Sequence, residues 1–588
     1  MRATRIACLA ATLALSCQES SEPQQTIHTL PIRSDETWTR SGSPHIVQGQ
    51  LFISGGATLT IEAGATVLFD AQSSLTFGRV GTGTLRALGT AAAPITMRSL
   101  DTTVSPGAWI GLAFRSNTGS EMHYVSVSGC GSRVRPDSEP PSCLVLGNPL
   151  LPAENPTVLI DHVTVHDANG GAVVLWHDSR FGAGSAVLSV QNMHGYIAQF
   201  RAREAPHFPL GGTFATNDSN EVRMTVDTLR DSATWVLGVP WVVQDIVFIE
   251  GPNEPVLTIP AGSTILFRGG LVAGETAPGG LQIGTVGGPT VSLLPAGTDW
   301  KGLTFLANAV NSSISDADLE SCGTEGNACI NIYGSFSGGP APSPVLKNVT
   351  IRHAIATGID LTYGGRLGAG SSNLTIAQTA GNGFWDGTPF KVHMSPLSSI
   401  PQGSYTGNLR DVIWVYQLEI RQDETWPKYD VPYFIYGEVS VGDSASNPTL
   451  TIEPGVTISF ANGVRFLIGS TAPGAVHAVG TTAEPITLRG ETDTPGGWVG
   501  IYFGYAADSS SLFDHAIVDY AGGPDPAFIT GSFHFYVDVG TVIHNSIIRN
   551  SAGCGIIIVN QPPWSTDFTA PALGNTFTNN AGGAVCGP

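Results

Sequence analysis

One phrase, written three times along 588 residues, constrains the fold of this chain more than any other feature. It reads LTIEAGATVLF at 59–69, LTIPAGSTILF at 257–267 and LTIEPGVTISF at 450–460. Its surroundings recur in the same order. An acidic residue followed closely by Thr and Trp precedes each copy, at 35–38, 231–235 and 423–426. A strand-turn-strand piece follows, at 83–99, 279–295 and 474–490. Then comes a Trp-x-Gly pair: Trp109 and Gly111, Trp300 and Gly302, Trp498 and Gly500. Ordered repetition of this kind means that one supersecondary unit is built again and again.

Within the phrase the pattern is that of strands. Leu450 and Ile452 alternate with Thr451, and Ile458 alternates with Ser459 before Phe460, a period of two with one apolar face. Between the two strands Pro454 fixes φ and Gly455 tolerates a positive φ, which makes a corner. Such pieces recur about every 20–26 residues, shorter than the four-stranded blade of a propeller. Asn-Gly and Asp-Gly hairpin signals are scarce. The 72 Gly and 39 Pro, spread among Val, Ile, Leu and Thr, fit many short strands and many turns. No helical periodicity is sustained beyond the N-terminal segment. The expectation is an all-β chain of parallel strands stacked in a coil, in three long units at 35–230, 231–422 and 423–588.

The run of DETW, VPYFIYGEVSV, LTIEPGVTISF, AVGTTAEPITLRG and GGWVGIYF resembles the right-handed parallel β-helix repeat proteins of bacterial cell surfaces. Segments such as NSIIRNSAGCGIII and NVTIRHAIATGIDL resemble the turns of pectate-lyase-like folds. The resemblance covers nearly all the chain from Ile27 onward. It implies the fold, a right-handed parallel β-helix (solenoid). It does not choose among the lyases, hydrolases, epimerases and adhesins built on that fold.

The N-terminus gives an address. Arg2 and Arg5 precede an apolar run from Ile6 to Leu15 and then Ser16 and Cys17, a signal peptide over 1–16 that is too short to span a bilayer. LALSC is similar to a lipoprotein lipobox, with Ala14 where Leu is usual. Cys17 is therefore the expected lipid attachment point, and 17–34 the tether and first strands. The expected location is the outer membrane or cell surface after secretion across the inner membrane, or extracellular space if the anchor is absent. In that oxidising setting the six later cysteines pair as neighbours: Cys130 with Cys143, Cys322 with Cys329, Cys554 with Cys586. The formal charge of -20 argues against a nucleic-acid partner.

No motif for chemistry stands out. The richest polar segment, DHVTVHDANGG, holds Asp161, His162, His166 and Asp167; the two histidines have equal parity and are expected on one strand face. DHAIVDYAGGPD offers Asp514, Asp519 and Asp525 as carboxylates for a hydrolase. Arg352, Asp360 and Arg366 are the group a lyase would use. Asp316, Asp318 and Glu320 occupy alternate positions and, sharing a face, would take calcium; otherwise no cofactor is implied. The recurring tryptophans are read as core. The functional expectation is a structural or adhesive surface protein that binds polysaccharide, with no catalytic residues assigned. A carbohydrate-active enzyme, a polysaccharide lyase or glycoside hydrolase on the same fold, is the alternative.

Overall fold

The computed structural model describes residues 25–587 apart from 102–105, 118, 134–139, 153, 325–326, 382, 384–385, 525–529, 561–563 and 565. The signal segment, Cys17 and Asp525 lie outside the described residues. Among those described, no helix is long and apolar enough to cross a membrane. The chain forms two compact units: residues up to 198 with 207–220, and 199–206 with 221–588.

The first unit is a set of parallel ladders. One joins His45–Val47, Thr66–Phe69, Ile95–Ser99, Ser120–Ser128, Thr157–Asn169 and Ala186–His194. A second joins Gln50–Ile53, Ser74–Phe77, Gly111–Phe114, Ser142–Leu146 and Gly171–Leu175. A third joins Glu36–Trp38, Ala57–Glu62 and Gly83–Leu88. The repeat spacing is the register itself: Leu59 lies opposite Leu85, and in the second unit Leu450 lies opposite Val476. Apolar residues of the phrase point inward, with Leu450, Ile452, Ile458 and Phe460 all buried, and Gly455 turns the corner at φ 77°.

In the second unit the ladders change partners. Thr264–Phe267 pairs with Trp241–Val243 and Val291–Pro295. The adjoining ladder runs Ile246–Ile249, Gly270–Ala273, Gly302–Phe305, Ile330–Tyr333, Ile359–Thr362, Phe390–His393 and Ile413–Val415. It then continues into Tyr433–Ile435 and Thr457–Phe460, which begin the third copy of the repeat. The phrase has moved over by one ladder. The cause is Leu418–Ile420, which opens a new ladder with Val439–Val441 at the junction.

The core is organised by the recurring aromatics. The last Phe of each phrase stacks on the Trp of Trp-x-Gly: Phe69 on Trp109 at 3.7 Å, Phe267 on Trp300 at 4.4 Å, Phe460 on Trp498 at 4.2 Å. Each of these tryptophans is fully buried. A buried indole N–H needs an acceptor, and each donates to a backbone carbonyl: Ser128 at 2.8 Å, Glu320 at 2.9 Å, Asp519 at 3.0 Å. The glycine of the motif is required by space, since a Cβ at Gly302 (φ 83°) would sit 2.3 Å from the Cys329 carbonyl oxygen. Trp38, Trp235 and Trp426 are buried too. Trp38 donates to Glu36 at 2.7 Å, whereas the second copy has Ala233 at that place and the Trp235 indole N–H is left without a partner.

The cysteines form disulfides Cys130–Cys143, Cys322–Cys329 and Cys554–Cys586. The first two are equivalent. Each begins two residues after the carbonyl that accepts from the motif Trp and ends opposite the motif Gly. In the third copy those places hold Ala521 and Ser532, both buried. The variant A521C/S532C is therefore expected to oxidise spontaneously. It should stabilise the third copy by about 2–4 kcal/mol, read as a rise in melting temperature that reductant reverses. Free thiols in the purified variant would contradict the equivalence.

Candidate functional site

Most of the polar residues singled out in the sequence serve the corners between strands. Where two strands meet, one residue takes a left-handed conformation, which Asn and Asp tolerate best among residues with a side chain. In the first unit these include His162 (φ 53°), Asp167 (φ 47°) and Asn192 (φ 50°). Asn192 donates to Asp167 at 3.2 Å, and the Thr216 hydroxyl donates to Asn192. The second unit repeats the device. Asn348 donates to Asp316 at 2.9 Å and Asn373 to Asn348 at 2.8 Å. Asn550 donates to Asp519 at 2.9 Å and Asn579 to Asn550 at 3.2 Å. These amide ladders run across successive strands and satisfy groups that the corners leave unpaired.

The corners bear on two expectations. His162 and His166 do not share a face, because the left-handed residue at 162 resets the alternation and buried positions fall at Ile160, Val163 and Val165. His162 stacks on Tyr124 at 4.4 Å with Nδ1 2.7 Å from Asp161 Oδ1. His166 lies between Asp167 Oδ2 at 2.7 Å and the Ser126 hydroxyl at 2.9 Å. The His166 imidazole, with Asn192, holds the Asp167 carboxyl below the usual aspartate range. Nor do Asp316, Asp318 and Glu320 converge. Asp316 is itself a corner (φ 48°), while Glu320 reaches His353 Nδ1 at 3.4 Å. Among the described residues, no three His, Cys, Asp or Glu side chains gather in a way that would hold a metal.

Asp514 and Asp519 belong to different ladders. Asp514 accepts from Asn545 at 2.9 Å and faces His515 at 2.8 Å. Asp519 is buried, with Arg549 Nε at 2.9 Å and Asn550 as its partners. Arg352 likewise stands in a different ladder from Asp360. Asp360 instead meets a residue that sequence reasoning missed, Lys391, with Nζ 2.9 Å from Oδ2.

Asp360 and Lys391 are the centre of a polar cluster that no corner explains. They are register partners on neighbouring strands, and Asp360 is 2% exposed. The Tyr333 hydroxyl donates to Asp360 Oδ2 at 3.2 Å, and the Thr362 hydroxyl donates to Oδ1 at 2.8 Å. Burial first, then the Asp360 charge, pushes the Tyr333 phenol far up, so it stays protonated. The register of the other copies shows that the scaffold does not require these groups. The places of Asn331 and Asp360 are held by Val145 and Val174 in the first copy, and by His534 and Ile557 in the third. Comparing those strands across copies was the signal that could have found the cluster.

Beside it runs a row of rings, four at the C-terminal ends of successive strands of one ladder and the first, Phe336, in the turn after Ile330–Tyr333. Phe336 meets Tyr363 at 5.2 Å, Tyr363 meets His393 at 5.0 Å, His393 meets Tyr416 at 5.0 Å, and Tyr416 meets Tyr436 at 5.7 Å. Phe336 is 78% and Tyr416 41% exposed; Tyr363, His393 and Tyr436 are half-buried. Trp414 and Phe434 pack behind them at 4.6 Å, with the Arg410 guanidinium 5.6 Å from the Trp414 ring. Burial lowers the His393 imidazole below its ordinary value; Asp360 opposes this and Lys391 adds to it, so the row and the ion pair share one electrostatic neighbourhood. The ladder shift makes the row continuous, since Tyr436 belongs to the third copy and the other four rings to the second.

A cleft of about 520 Å³ adjoins the row at Met394 and Leu418, lined also by Arg366, Arg421, Asp423 and Glu424. Burial raises the Glu424 carboxyl, while the backbone N–H groups of Ser398 and Leu397 donate to it and oppose the rise. Comparison with protein families, curated proteins and solved structures finds no match. The functional reading therefore rests on this geometry.

Proposed function

We propose that this chain is a secreted, surface-anchored right-handed parallel β-helix of three long repeats with a structural or adhesive role, binding polysaccharide along the ring row of its second unit. The signal segment at 1–16 and lipid attachment at Cys17 belong to the same reading. The observation that carries it is the row from Phe336 to Tyr436, with one ring per strand. The apolar C–H face of a pyranose packs on the π face of an aromatic ring, and its hydroxyl edge keeps contact with water and polar side chains. Strands stack about 4.8 Å apart, so the rings repeat at close to the length of one sugar unit. Several weak contacts in series then act as one site for a polymer.

The rival reading is a polysaccharide lyase or glycoside hydrolase. It draws on Asp360, Lys391, Tyr333 and His393, a buried polar group that the scaffold does not require. Hydrolysis by paired carboxylates needs two of them flanking the bond, and Asp360 stands as the single carboxylate in this cluster among the described residues. Binding is the better supported reading.

Affinity electrophoresis of the full chain against a panel of soluble polysaccharides tests it, with release of reducing sugar and unsaturated uronate followed in parallel. Retardation without product is the expected result, and Y416A should weaken it about tenfold while leaving the melting temperature within about 2 °C. Product release would replace the binding reading with the enzymatic one.

A further inference from the structure

The charge of the ring row points to the class of polymer it takes. A polyanion such as a uronan or sulfated glycan is held by cations whose charge is not already balanced, and its binding falls steeply with salt. Along this row two of the cations are paired with carboxylates. Lys391 is matched by Asp360 at 2.9 Å, and Arg421 by Glu419, whose carboxylate its guanidinium reaches at 2.5 Å. Arg366 lines a cleft together with Asp423 and Glu424. Arg410 lies against the face of Trp414. His393 is shifted by burial toward its neutral form. The chain as a whole carries 47 acidic against 27 basic residues, so its net field repels a polyanion.

We infer that the row binds an uncharged polysaccharide, with Tyr333, Lys391 and His393, the first two held by the buried Asp360, forming a polar edge that faces hydroxyl groups and no acidic substituent. A pair without net charge suits this ligand, because hydroxyls both donate and accept. It also gives a reason for a buried carboxylate at 360, where the first copy has Val174. A valine there would pack without desolvation cost but would leave Lys391 and Tyr333 with no carboxylate to hold them at the sugar edge. This inference rests on the polysaccharide-binding reading and narrows it.

The test is equilibrium binding of the full chain to four soluble polymers, a neutral β-glucan, a neutral mannan, polygalacturonate and a sulfated galactan, each at low and high sodium chloride. The expected result is binding to at least one neutral polymer, with affinity changing less than about twofold between the two salt conditions. Tighter binding to either polyanion, falling tenfold or more as salt rises, would overturn the inference while leaving polysaccharide binding in place. Binding to none of the four would overturn both. In the supporting case Y416A should lose the neutral polymer and a tyrosine outside the row, Y505A, should retain it.

Discussion

Replacing Trp498 by Ala is expected to destabilise the third copy of the repeat by about 3–5 kcal/mol, the range for deleting a fully buried large aromatic. Three losses combine. The stack on Phe460 at 4.2 Å goes, a cavity of indole size opens in a core whose neighbours cannot collapse into it, and the Asp519 carbonyl loses its donor at 3.0 Å. W109A and W300A should behave alike, because Phe69 and Phe267 stack on those rings in the same way. A chain of this length need not unfold in one step. The informative measurement is therefore amide exchange resolved by peptide, in which W498A should deprotect strands near 457–460, 486–490 and 516–519 first. A loss below about 1 kcal/mol, or exchange raised uniformly over the chain, would mean that the stack is not a structural unit.

Lys391→Met should cost nearly as much, about 3–5 kcal/mol, for a different reason. It leaves the Asp360 carboxylate, 2% exposed, without its counter-charge, and an uncompensated buried charge is far more costly than an absent pair. The second substitution separates structure from function. D360V/K391M places at position 360 the residue found at Val174 of the first copy, and should recover to within about 1 kcal/mol of the parent or exceed it. If the pair serves a ligand, this stable double variant still loses polysaccharide affinity. If it were present only for folding, the stable double variant would keep its polysaccharide affinity. Guanidinium titration together with affinity electrophoresis of the three proteins decides between these outcomes.

The periodicity of LTIEPGVTISF was enough to predict inward Leu450, Ile452, Ile458 and Phe460, because side-chain alternation is a local consequence of extended backbone, and the spacing of the pieces with few hairpin signals pointed to parallel strands. Repetition made the recurring tryptophans legible as core, and sequence proximity paired the cysteines. Parity misled at the corners. A single left-handed residue such as His162 advances the chain by one position without appearing in the apolar pattern, so parity counted through it fails, as buried Ile160 and Val163 on either side of it show.

Cross-strand neighbours about 30 residues apart are harder to read. Asp360 meets Lys391 because Ile359–Thr362 and Phe390–His393 lie side by side in register, and the loop lengths that set this register carry no signal of their own. The amide ladders arise in the same way, from stacking Asn348 on Asp316 and Asn373 on Asn348. The ring row depends on a further event, the opening of a new ladder at Leu418–Ile420, which sets Tyr436 of one repeat beside Tyr416 of the previous one. The sequence by itself determined the repeating strand unit, its buried face and its disulfide pairs, since each is fixed by side-chain chemistry within one short segment or one repeat. Only the tertiary structure decided which polar and aromatic residues stand together, since that depends on register between strands and on where one repeat is joined to the next.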